Sequence, residues 1–89
     1  MIKLDWSKRF KKKLKKYLAK HPEMETRIKD KLKIFIKNPY APELRSHKLS
    51  GRLKDLRAVV IDYDCRIVFA FVGQDIALLI SIGTHDEVY

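Results

Sequence analysis

The residues best suited to chemistry in this chain are two arginines and three histidines. Arg57 and Arg66 sit inside apolar, β-branched runs, where a charge needs solvent or a charged partner. Arginine holds phosphate oxygens with two donors at once, and histidine takes or gives a proton near neutral pH. His21, His47 and His85, together with the lone Cys65, show no paired ligand spacing such as CxxC or HxxxH. No metal site is expected, and no cofactor. Cys65 reads as a small core residue, since no base matches it as a nucleophile.

The elements that must position these groups follow from the hydrophobic pattern. Residues 56–84 hold three β-branched runs separated by turn-like clusters at Asp62–Asp64 and Gly73–Asp75, the pattern of a three-stranded antiparallel meander. At the other end, Ile2, Leu4 and Trp6 alternate with Lys3 and Asp5, which predicts a short strand. Ser7 is placed as an N-cap for a helix over 7–20, whose apolar stripe is Phe10, Leu14, Tyr17 and Leu18. Pro22 disfavours helical geometry in the residue before it and suits the first turn of a second helix. That helix carries Met24, Ile28, Leu32, Phe35 and Ile36 on one stripe and ends before Asn38-Pro39. Residues 38–54 read as a long loop, of the kind that often carries function.

One domain spanning residues 1–89 is expected, near the lower size limit for a single apolar core. Its predicted class is α+β in two layers: an N-terminal strand and a helical hairpin packed on one face of a four-stranded antiparallel sheet, the other face open. The N-terminal strand can return beside either the first or the third meander strand. No apolar run is long enough for a membrane span and no signal-peptide block follows the basic N-terminus, so a cytoplasmic protein is expected.

Charge is divided unevenly along the chain. Residues 1–54 carry 18 Lys/Arg against 5 Asp/Glu, and residues 55–89 carry 2 against 6. A basic helical layer beside a mildly acidic sheet predicts a polyanionic partner, most commonly nucleic acid, because each neutralised phosphate releases counterions. Lys12, Lys13 and Lys16 are interleaved with the first helix's stripe and are candidates for gripping RNA phosphates. The alternative use of such lysines is a solvated helix face.

Three blocks carry a resemblance: Ser46-His47-Lys48-Leu49-Ser50-Gly51, the hairpin segment Asp64-Cys65-Arg66-Ile67-Val68-Phe69, and the ending Ile82-Gly83-Thr84-His85-Asp86-Glu87-Val88-Tyr89. With the opening Asp5-Trp6-Ser7-Lys8-Arg9-Phe10, they make the whole chain resemble the RelE/ParE superfamily of type II toxin–antitoxin toxins, most like its RelE/YafQ branch. That resemblance implies a ribosome-associated endoribonuclease that cuts messenger RNA, inhibits translation and is silenced by a cognate antitoxin. It implies contact with operator DNA only through the antitoxin. Carried across by position, it implies catalytic roles for His85, Arg66, Tyr89, His47 and Asp64, and RNA contacts by Arg57 and Lys48. Val60 stands where the YafQ branch has a further histidine, and Val59 where RelE has a lysine.

Metal-free cleavage by internal transfer needs a base for the 2′-hydroxyl, a cation for the charged phosphorane and an acid for the leaving 5′-oxygen. His85 is the first candidate for proton transfer, His47 the second, and Arg66 the clamp. The plain alternatives are a surface histidine at 85, an Arg66 paired with Asp62 or Asp64, and a turn-forming Asp64. Two other functions stay open: a ParE-like toxin that inhibits gyrase without cutting RNA, and a non-catalytic RNA-binding domain.

Overall fold

The computed structural model describes residues 1–49 and 55–84. The Ser50-Gly51 end of the first resembling block, and His85 and Tyr89 in the third, lie outside the described residues. The elements run β1 (Lys3–Trp6), α1 (Lys8–Lys20), a 3₁₀ turn (Pro22–Met24), α2 (Glu25–Lys37), a second 3₁₀ turn (Pro42–Leu44), β2 (His47–Lys48), β3 (Arg57–Asp62), β4 (Cys65–Val72) and β5 (Ile76–Gly83).

Both helix boundaries have local causes. Ser7 is extended, and its Oγ accepts from the Phe10 amide at 3.0 Å, the capping bond expected of serine before a first turn. Helix α1 stops at His21, ahead of Pro22. Pro22 opens a 3₁₀ turn, and α2 proper begins at Glu25. The helical hairpin returns to its start, because the Ile2 amide donates to the Ile36 carbonyl at 2.9 Å. Phe10, Ile28, Leu32 and Phe35 then meet Val59, Ile61, Ile67, Phe69 and Leu79 in the main core. Phe35 and Phe69 pack edge to face at 4.8 Å between centroids, tying α2 to the middle of the sheet.

The sheet is the predicted α+β layer with two differences of detail. It has five strands in the order β1-β5-β4-β3-β2. The meander β3-β4-β5 is antiparallel as predicted, while β1 runs parallel to β5, with Lys3 opposite Ile76 and Trp6 opposite Leu79. Alternation in β1 specifies which residues face the core but not the direction of the strand, and the hairpin of two 13-residue helices brings the chain back past the β5 edge.

The fifth strand lies in the segment read as a loop. Its anchors are Leu44 and Leu49, which are buried, and His47 pairs with Ala58 while Lys48 pairs with Arg57. Leu49, Ala58 and Val68 form a second small core, with Leu56 and Ile80 against it. The face away from the helices is therefore partly roofed at that end, rather than open throughout. Gly73 takes the positive φ of 74° in the β4–β5 turn, a conformation glycine adopts without strain.

Candidate functional site

Pairing and alternation decide which of the chemical residues share a face. Arg57 stands opposite Phe69, a residue of the helix-side core, so it belongs to the helical face. Arg66 stands opposite Val60 on one side and Gly83 on the other, in the row next to that of Ala58, Val68 and Ser81, and so faces away from the helices. His47 is opposite Ala58 and shares that face. Two inter-strand spacings and two residues along β4 separate His47 from Arg66, roughly 12 Å between Cα atoms at ordinary sheet spacings.

Arg66 is half-buried, and among the described residues its partners are backbone oxygens. Its Nη1 donates to the carbonyls of Asp62 at 2.8 Å, Tyr63 at 2.9 Å and Cys65 at 3.4 Å. Among the described residues no carboxylate lies within ion-pair distance of it, since Asp62 gives its Oδ2 to Arg27 at 2.9 Å. The hairpin turn thus aims the guanidinium, and no described carboxylate pairs with it. Its Nε and Nη2 edge is the one that grips a phosphate with two parallel bonds. Gly83, opposite, places no side chain over it, and His85 is two residues further on.

Arg57 is occupied differently. Its Nε and Nη2 donate to Ser46 Oγ at 3.4 and 3.3 Å, and its guanidinium lies 5.7 Å from the centroid of the Tyr40 ring. These contacts brace the loop that carries His47. Arg45, next in that loop, adopts the left-handed φ of 47°, and its carbonyl lies 2.9 Å from His47 Nδ1. His47 and Lys48 are both exposed. Asp64 lies in the exposed Tyr63–Asp64 turn between β3 and β4, the position its turn-forming alternative describes.

A groove of about 910 Å³ runs between α1 and the end of β5. Arg9, Lys12, Lys13, Lys16 and Lys20 line one wall, and Ile82, Gly83 and Thr84 line the other. Gly83 lines the groove and pairs with Arg66, whose side chain lies on the face away from the helices. Sequence reasoning found Lys12, Lys13 and Lys16. It missed Arg9 and Lys20, whose spacing of three or four residues from these lysines carries the signal, and the helix-capping His21, which also lines the groove.

Tyr17, in the groove wall, meets the buried Cys65. Burial, and then a hydrogen bond from its hydroxyl to Cys65, push Tyr17 above its ordinary value. Burial also raises the Cys65 thiol, which is 1% exposed, and the Tyr17 bond opposes that rise only in part. Cys65 is a core residue, as its sequence context predicts. Among the described residues, no three His, Cys, Asp or Glu side chains gather as a metal ion would require. No described helix is long and apolar enough to cross a membrane.

The family model for YafQ, the bacterial toxin of a type II toxin–antitoxin system, matches residues 2–89. The chain belongs to the YafQ family. Among solved structures it is similar to a copper-bound variant of a toxin from Helicobacter pylori, with 29% identity, a TM-score of 0.77 and complete coverage of both chains. YafQ from Escherichia coli strain BL21(DE3) is similar at 19% identity with a TM-score of 0.82, covering 100% of this chain and 99% of that one. YafQ in the Escherichia coli DinJ–YafQ complex gives 19% identity and a TM-score of 0.80 over the same shares. These last two likenesses speak for the fold. No curated protein sequence matches the chain. The chain is therefore a type II toxin–antitoxin toxin, with two helices on a mixed five-stranded sheet.

Proposed function

We propose that this YafQ-family toxin is a metal-independent endoribonuclease that cuts messenger RNA on the ribosome in the cytoplasm and thereby stops translation. The observation that carries the reading is Arg66: a guanidinium fixed by three carbonyls, with no carboxylate partner among the described residues, on a strand whose neighbour β5 lines a lysine-rich groove. A structural arginine is ordinarily neutralised by a carboxylate, whereas one that binds phosphate must keep its charge.

In the proposed reaction a histidine takes the proton of the 2′-hydroxyl, the 2′-oxygen attacks the adjacent phosphorus, and the bond to the 5′-oxygen breaks. The leaving oxygen receives a proton from an acid, which yields a 2′,3′-cyclic phosphate and a free 5′-hydroxyl. Arg66 holds the non-bridging oxygens as their charge grows. His85 is assigned proton transfer, with His47 as its counterpart on the same face as Arg66. Tyr89 is assigned a stacking or proton-donating role, and Asp64 an accessory one. Lys12, Lys13, Lys16 and Lys48 are assigned the RNA and ribosome phosphates.

DinJ–YafQ structures record a complex of the Escherichia coli protein with DinJ. By analogy this chain has a cognate antitoxin, and an acidic segment of it suits the face that holds Arg66. The test is expression of the toxin without an antitoxin, followed by primer extension on cellular transcripts. Growth arrest with cuts inside coding regions is expected. Intact transcripts with gyrase-dependent DNA damage would replace this reading with that of a ParE-like inhibitor.

A further inference from the structure

Tyr63 is the first residue of the two-residue β3–β4 turn, and 91% of its surface is exposed. Water is a poor environment for a tyrosine ring, and nothing in the hairpin's folding requires an aromatic there, since polar residues serve such turns better. The turn that presents it is nevertheless firmly built. Asp62 Oδ1 accepts from the Tyr63 amide at 2.7 Å, and Asp62 Oδ2 is tied to Arg27 of α2. The Tyr63 carbonyl itself accepts from Arg66 Nη1 at 2.9 Å. An exposed ring and the guanidinium assigned to the scissile phosphate are thus carried by one hairpin and joined through its backbone.

We propose that Tyr63 is the floor of a nucleobase subsite, stacking on a base adjoining the phosphate held by Arg66. The inference rests on the ribonuclease reading. The ring itself carries no charge to hold a phosphate, and its flat apolar face is the surface on which a base stacks. Stacking tolerates any base while favouring the larger purines, so Tyr63 shapes which positions are cut without reading a unique letter.

The experiment is a cycle between protein and RNA. Single-turnover cleavage is measured on ribosomes programmed with messages that carry an abasic nucleotide at each of the positions flanking the cut. Tyr63→Ala is expected to slow cleavage of the intact message by on the order of ten- to a hundredfold, mostly through weaker half-saturation. At one flanking position the abasic message is expected to be cut equally by wild type and Tyr63→Ala. Tyr63→Phe keeps the ring and is expected to behave as wild type throughout. Wild-type cleavage by Tyr63→Ala, or losses that multiply independently at every position, would overturn the subsite while leaving the ribonuclease reading intact. Absence of cleavage by the wild type, with a folded chain bound to ribosomes, would overturn both.

Discussion

Arg57 and Arg66 point to opposite faces of the same sheet: Arg57 pairs with Phe69 in the helix-side core row, and Arg66 pairs with Val60 and Gly83 on the other face. One phosphate cannot engage both. In the proposed ribonuclease reading Arg66 is the clamp, while the contacts of Arg57 with Ser46 and Tyr40 brace the segment carrying His47.

Replacing Arg57 with alanine removes its bonds to Ser46 and its contact with Tyr40. The expected cost is about 1 kcal/mol of stability, in the range of one half-exposed cation–π contact with a weak hydrogen bond. Urea denaturation measures it, and limited proteolysis should show earlier cutting around residues 38–49. Unchanged stability combined with lost RNA affinity would return Arg57 to direct RNA contact.

The two arginines also show why part of the site was hidden in the sequence. In β3 both alternating sets are apolar, Ala58 and Val60 on one face and Val59 and Ile61 on the other, so period-two patterning assigns neither face to the core. The second cluster under Leu49 is the reason, since it buries the far side of β3 and β4 as well. The meander was legible because its turns are marked by Asp and Gly, and α1 because Ser7 and the Phe10 stripe agree. The partner and direction of β1 were not, because a four-residue strand carries no signal for either. Lys12, Lys13 and Lys16 emerged from charge spacing alone. That they line a groove ending at Gly83 depends on the packing of α1 across β5, which is tertiary information.

Reversing charge at Lys12, Lys13 and Lys16 together should weaken binding to ribosomes while leaving the fold intact, because Lys12 and Lys16 are exposed and Lys13 is only half-buried. The slope of log K against log salt should fall by about 0.7–0.9 for each phosphate contact removed. Binding measured from low to moderate salt checks this. An unchanged slope would reduce these lysines to a solvated helix face.

Ser7→Ala deletes the acceptor for the Phe10 amide at the start of α1. A loss of about 1 kcal/mol is expected from thermal or urea unfolding, within the usual range for such caps. Ser7→Asp should recover most of it, since a carboxylate caps the same amide and suits the positive end of the helix.

Tyr17 and Cys65 predict the alkaline limb of stability. Both are raised in the folded protein, from ordinary values of 10.0 and 9.0, so the folded chain keeps protons that the unfolded chain gives up. Their contribution is complete below pH 9 and is lost as pH rises through the folded values. Urea midpoints should therefore decline above about pH 9, and Tyr17→Phe should flatten that decline relative to wild type. An equal decline in the variant would remove the pair as its cause.

The central claim is that the Arg66 guanidinium holds the phosphate as it is cleaved, and single-turnover cleavage on programmed ribosomes tests it most directly, with ribosome binding and folding measured separately. Arg66→Ala is expected to bind ribosomes nearly as wild type and to cleave about 10²–10³-fold more slowly, as on deleting one donor to a developing oxyanion. Arg66→Lys should recover only part of the rate, because a point charge cannot replace the two-pronged grip. Cleavage by Arg66→Ala at the wild-type rate would contradict the account.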